Sequence, residues 1–294
     1  MNDLEKEVVY PEGSLVFDEK GGELALSRVL GNFSVLTVPD KTEDGQAVTS
    51  VLKKAFLGKR TVRKIILPDS VKSVGDFCFA HCVNLTEVVM PACSCGEGIF
   101  TGCKALQKIT LPGMSEDMTV LIAGAVRNGA PQHLTDIEKI SDDFLAKWDA
   151  WAISVLDAPD DEGFLNQILC GEEDYGSSDK GAYESSRRVL KASLSMLRLL
   201  YPENLTDKAS KIFTDYIYEH RKGADAGSES WIAVRDVYPD KRHFDLLSKL
   251  GCVDDTNRDM MIRELGDDKQ ELKSLLVKSS GEEASDRFFS SLEI

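Results

Sequence analysis

A proline and a phenylalanine keep step along the first half of this chain, and their shared period fixes most of what the region can become. Three segments end on proline: Val62-Arg63-Lys64-Ile65-Ile66-Leu67-Pro68, Leu85-Thr86-Glu87-Val88-Val89-Met90-Pro91 and Leu106-Gln107-Lys108-Ile109-Thr110-Leu111-Pro112. Each follows an aromatic-centred turn, Ala55-Phe56, Cys78-Phe79 or Ile99-Phe100. Successive phenylalanines are 23 and 21 residues apart, and so are successive prolines. Two landmarks holding one register mark an internal repeat. A degenerate earlier copy, Val35-Leu36-Thr37-Val38-Pro39, precedes an insertion and then Val48-Thr49-Ser50-Val51.

The physics follows from the spacing. Side chains alternate across a strand. Ile65 and Leu67 therefore point one way, as do Val88 with Met90 and Ile109 with Leu111. Lys64, Ile66, Glu87, Val89, Lys108 and Thr110 point the other way, together with Thr37 of the degenerate copy. Proline donates no hydrogen bond to a ladder, so it ends each strand and turns the chain. One coil cannot bury its apolar side alone, so the copies must stack as parallel neighbours. Phe56, Phe79 and Phe100 then fill the opposite wall.

The unit Leu67-Pro68-Asp69-Ser70-Val71-Lys72-Ser73-Val74-Gly75, continuing to Phe79-Ala80-His81-Cys82-Val83-Asn84-Leu85, resembles the BspA-like class of leucine-rich repeats. Phe100-Thr101-Gly102-Cys103-Lys104-Ala105-Leu106 is a second match. The resemblance covers roughly residues 33–112 and implies a short β-solenoid that binds other proteins. Members of that class usually carry many more repeats, often on secreted surface proteins; this chain departs on both counts, so adhesion to host cells is not carried over. Residues 14–32 read as a β-hairpin capping the stack, with Gly21-Gly22 as its turn.

Beyond about residue 115 the pattern becomes helical. The expected class is therefore α+β and multidomain. A repeat domain spans 1–113 with its hairpin cap, and an all-α domain of helix pairs spans 114–294. One helix is expected from Asp142 to Leu156, and a short one after Asp160 carries Phe164, Leu165, Ile168 and Leu169. A polar loop follows over 171–182. A helix from Tyr183 to Tyr201 ends at Pro202, and another is capped by Thr206. Asp240, Asp254 or Asp255, and Asp267 or Asp268 are candidate caps of three short helices ending near Gly251, Gly266 and Gly281. Phe244 to Leu250 recurs loosely at Leu272 to Lys278, so about 229–281 is similar to degenerate ankyrin-type helix pairs.

The net charge of −15 falls mostly on the helical half: residues 1–130 carry about −2 and 131–294 about −13. Such a surface repels phosphate backbones and anionic bilayers, which argues against nucleic acid and membrane as partners. The first residues lack the basic start and apolar core of a secretory signal. Seven cysteines without disulfide spacing fit a reducing compartment, and the expectation is cytoplasmic.

The outward strand residues Thr37, Lys64, Ile66, Glu87, Val89, Lys108 and Thr110 are the candidate partner-binding face. The expected partner is another protein, in a non-enzymatic interaction or scaffold module. The alternative is an enzyme or zinc-binding domain with a site not recognisable from sequence. Cys82 and Cys103 fall on the repeat's own cysteine position, and Cys78 stands where Ala55 stands one copy earlier. Cys93 and Cys95 have no such place and are weak metal candidates, without the paired C-x-x-C spacing zinc favours. No cofactor is implied. The acidic run Asp157 to Gly163 fails as a calcium loop, because the first and twelfth ligand positions would be Ala158 and Leu169. His81 sits on an exposed turn, and His133, His220 and His243 are isolated. Trp148, Trp151 and Trp231 read as helical core.

Overall fold

The computed structural model describes residues 5–140, 143–164, 179–221, 228–266 and 269–278. The chain divides into two compact units, Met1–Trp148 and Asp149–Ile294.

The first unit opens with three antiparallel strands, β1 (Glu5–Tyr10), β2 (Gly13–Lys20) and β3 (Glu23–Gly31). The β2–β3 turn is Gly21-Gly22, with φ of +63° and +85°. Positive φ at both central residues is what a type I′ two-residue hairpin turn requires. From β3 onward the pairing becomes parallel. Short strands β5 (Val48–Val51), β7 (Ser73–Val74) and β9 (Ser94–Cys95) extend this sheet. A second, wholly parallel sheet contains β4 (Val35–Thr37), β6 (Lys64–Ile66), β8 (Glu87–Val89) and β10 (Lys108–Thr110), one strand from each coil.

The expected register holds. Leu36, Ile65, Val88 and Ile109 are aligned and buried. The phenylalanines meet in one column. Ring centroids lie 5.2 Å apart for Phe56–Phe79 and 5.3 Å for Phe79–Phe100. Cysteine fits beside this column for a further reason. The Cys82 thiol donates to the Phe56 carbonyl at 3.1 Å, and the Cys103 thiol to the Phe79 carbonyl at 3.1 Å. A small apolar group with a weak donor is what that position accepts.

The stack ends under helix α1 (Glu116–Arg127), which packs on β10. Ser115 caps α1, accepting from the Met118 amide at 3.2 Å. The segment continues through α2 (Gln132–Thr135) and a single 3-10 turn, Ile137–Lys139, set against β9. Helix therefore begins just past the strand pattern, at Glu116. The division into compact units comes later, at Trp148/Asp149, because α1 belongs with the strand it covers.

Helix α3 (Phe144–Asp157) is followed by α4 (Lys180–Leu200), α5 (Asp207–Glu219), and α6 (Glu229–Ile232) with a π turn, Ala233–Val237. Then come α7 (Lys241–Lys249), α8 (Arg258–Glu264) and α9 (Gln270–Lys278). Thr206 caps α5 by accepting from the Ala209 amide at 3.2 Å, and Asp240 caps α7 by accepting from the His243 amide at 3.0 Å. Met196, Ile217, Trp231, Phe244, Leu247, Met261, Leu272 and Leu276 form one buried core. Trp148 and Trp231 are buried as expected, while Trp151 is half-buried. The expected short helix over Leu165, Ile168 and Leu169, most of the 171–182 loop, and the signals at Asp142, Asp267, Asp268 and Gly281 lie outside the described residues.

Candidate protein-binding face

The four-stranded sheet turns one side chain of every strand inward and two outward. The outward residues form two columns. One is Val35–Lys64–Glu87–Lys108 and the other Thr37–Ile66–Val89–Thr110. All seven residues singled out from the sequence thus lie on one face in consecutive register. Sequence reasoning passed over Val35, which heads the charged column and is 57% exposed. Its signal was its place opposite Lys64, one coil earlier.

The two columns differ chemically. In the first, Lys64 Nζ lies 3.0 Å from Glu87 Oε2, and Lys108 Nζ lies 3.6 Å from Glu116 Oε1. The charges are paired within the chain, and half-exposed pairs of this kind stabilise weakly. The second column carries no charge. Ile66, Val89 and Thr110 are half-buried, and Thr37 is exposed. The face is a strip, uncharged along one edge and ion-paired along the other.

A family model described as the BspA type leucine rich repeat region matches residues 40–122 in six copies. Residues 40–122 are a BspA-type leucine-rich repeat region. Solved structures like this chain include a T. pallidum leucine-rich repeat protein, 25% identical with a TM-score of 0.32, over 36% of this chain and 50% of that one. A leucine-rich cell surface protein of Faecalibacterium prausnitzii is 19% identical, with a TM-score of 0.30, over 38% of this chain and 33% of that one. A leucine-rich repeat protein of Bacteroides capillosus is 20% identical, with a TM-score of 0.28, over 36% of this chain and 99% of that one. The chain spans half the length of the T. pallidum protein. No curated protein matches it.

The cysteines of the BspA-type repeat divide by depth. Burial pushes the Cys103 thiol up to about 12 and raises those of Cys78 and Cys82. Cys95 does have a place in the repeat, because it pairs with Val74, which pairs with Val51. It is only half-buried because it stands in the last coil. A hydrogen bond shared with Cys93 raises the Cys95 thiol and lowers that of Cys93. Among the described residues, no three His, Cys, Asp or Glu side chains gather to hold a metal ion. His81 is exposed, with its ring against Gly102. The side chain of His133 lies outside the described residues.

The second unit buries charge, and most of it is matched. The Arg198 guanidinium is fully buried, reaches Asp149 through Nε at 2.5 Å and Nη2 at 3.2 Å, and donates to the Glu203 carbonyl at 2.8 Å. Asp160, the expected cap of the short helix outside the described residues, is engaged by cations. It pairs with Lys191 at 2.7 Å and Arg188 at 3.1 Å. Burial alone would raise the Asp160 carboxyl, but these two cations outweigh it and hold it below its ordinary value. Arg188 also reaches Glu229 at 2.8 Å. These groups hold helices together.

Proposed function

We propose that the chain is a non-enzymatic protein-interaction module, and that its BspA-type repeat presents Thr37, Lys64, Ile66, Glu87, Val89, Lys108 and Thr110, with Val35, to a protein partner. The observation that carries this is the alignment of those residues into two outward columns on one sheet face. Four strands about 4.8 Å apart and about 10 Å long give a face of roughly 200 Å². A stable interface takes roughly 800 Å² from each partner. The face alone therefore supports weak, transient binding, and tight binding needs a second contact.

The net charge of −15 supports a protein rather than a nucleic acid as the partner. No helix among the described residues is long and apolar enough to cross a membrane. We read the compartment as cytoplasmic and reducing, supported by thiols that pack inside the coils as free cysteines. We read the helices of about 229–281 as ankyrin-like pairs. Helices α7 and α9 are each nine residues long, start 29 residues apart and pack on one another.

The test compares affinity capture by the wild-type chain and by the double variant Ile66→Glu, Val89→Lys. The two positions are cross-strand neighbours, so the new charges pair and the sheet survives. At least one protein held by the wild type should be lost from the variant. Identical captures would count against this face.

A further inference from the structure

The turns of the repeat give the stack a direction. In each coil the backbone takes a left-handed conformation twice: at Lys54 and Gly58, at Phe77 and His81, and at Gly98 and Gly102, with φ between +53° and +74°. This aims every second peptide along the stack. Lys54, Phe56 and Gly58 donate their amides to the carbonyls of Asp76, Cys78 and Ala80, at 2.9–3.0 Å. One coil on, Phe77, Phe79 and His81 donate to Glu97, Ile99 and Thr101, at 2.7–2.9 Å. These form three parallel columns of aligned peptides that polarise one another.

The columns end on Gly98, Phe100 and Gly102. Among the described residues no acceptor meets these three amides. The side of the coil facing back is full, since a Cβ on Gly98 would lie 2.7 Å from the Phe77 ring and one on Gly102 would lie 2.6 Å from His81 Nδ1. The amides face onward, where a further coil would stand. All three residues line a cleft of about 840 Å³ between the last coil and the segment from Val126 to Glu138.

Aligned amides attract acceptors, and an anion is the usual occupant of such a concavity. The rest of this lining opposes one. Among the described lining residues, Asp76, Glu97, Asp136 and Glu138 set four carboxylates against Lys104 and Arg127. Asp76, Glu97 and Glu138 are exposed at the rim. A neutral main-chain carbonyl satisfies the donors without that repulsion, and cationic side chains beside it satisfy the rim.

We propose that this cleft binds an extended, lysine- or arginine-bearing segment of a partner protein. Its backbone carbonyls accept from Gly98, Phe100 and Gly102, and its cations pair with Glu97 and Glu138. This is strand addition onto an edge whose free groups at these positions are donors. The site is separate from the sheet face and stands whether or not that face binds.

The test is an amide-resolved NMR titration of the full chain with the blocked peptide Lys-Val-Lys-Val-Lys. Its Glu-Val-Glu-Val-Glu counterpart and inorganic phosphate serve as comparisons. The Lys peptide should move the Gly98, Phe100 and Gly102 amide protons downfield in a saturable way, and the other two probes should not. Exchanging both rim acids (Glu97→Gln, Glu138→Gln) should weaken the Lys peptide about tenfold. The Ile66→Glu, Val89→Lys variant should bind it as the wild type does. Three unmoved amides would overturn the proposal. Shifts of equal size with the acidic peptide or phosphate would also overturn it, by making the site an anion site. Loss of binding in the sheet-face variant would show that the two surfaces are one.

Discussion

Replacing Phe79 by alanine removes the middle ring of a three-ring column. The side chain is fully buried, and its ring meets Phe56 at 5.2 Å and Phe100 at 5.3 Å. Burying a phenylalanine removes about 150–250 Å² from water. At about 25 cal/mol per Å² that is about 4–6 kcal/mol, an upper bound because unfolded chains are already partly compact. Phe-to-Ala changes in cores cost about 3–5 kcal/mol, so Phe79→Ala should fall in that range. The comparison with its neighbours is sharper. Phe56 and Phe100 are similarly buried, but each touches one ring of the column instead of two. An aromatic pair adds about 0.5–1.5 kcal/mol beyond its area. Phe79→Ala should therefore cost about that much more than Phe56→Ala or Phe100→Ala. Urea-dependent hydrogen exchange in fragments from 52–111 isolates the repeat from the helices, which dominate circular dichroism. Equal losses from all three variants, or the largest loss from Phe100→Ala, would refute the reasoning.

Asp149→Ala leaves the Arg198 guanidinium buried without its carboxylate and should destabilise the helical unit by about 3–5 kcal/mol, measured by urea unfolding at neutral pH. The folded-state pKa of Asp160 is depressed, so its contribution is present above the unfolded value of about 3.9 and fades as pH falls through the folded value. The stability gap between the wild type and Asp160→Asn should be open at pH 7 and closed in strong acid; a gap independent of pH would contradict the ion-pair assignment. Gly102→Ala places a Cβ against His81 at a φ of +74°, and should lower stability by at least about 1–2 kcal/mol in thermal melts. Cys78, Cys82 and Cys103 should resist iodoacetamide in the native protein at neutral pH and react once it unfolds, as followed by mass spectrometry.

The repeat was legible because two large landmarks, proline and phenylalanine, recur where the coil admits little else. The seven outward residues followed from strand alternation alone. Helix α1 was not legible. Leu121, Ile122, Ala123 and Ala125 are buried on several sides and the charged Glu116, Asp117 and Arg127 stand only at the ends, so the middle of the run shows no helical stripe. Strand β1 escaped for the opposite reason, because Glu5–Tyr10 has a half-exposed alternation that gains meaning only beside β2. The amide row at Gly98, Phe100 and Gly102 was invisible because it is made of backbone. Its left-handed positions carry Lys54, Phe77 and His81 as well as glycine, so no glycine period announces it.

Everything turns on coils whose aromatic turns donate their amides to the next coil, in the same direction each time. Amide-resolved hydrogen exchange of the unliganded chain tests this directly. Lys54, Phe56, Gly58, Phe77, Phe79 and His81 should exchange slowly as a set, and Gly98, Phe100 and Gly102 should exchange quickly at the end of the same columns. Protection spread evenly over all three coils, or absent from the first two, would contradict the account.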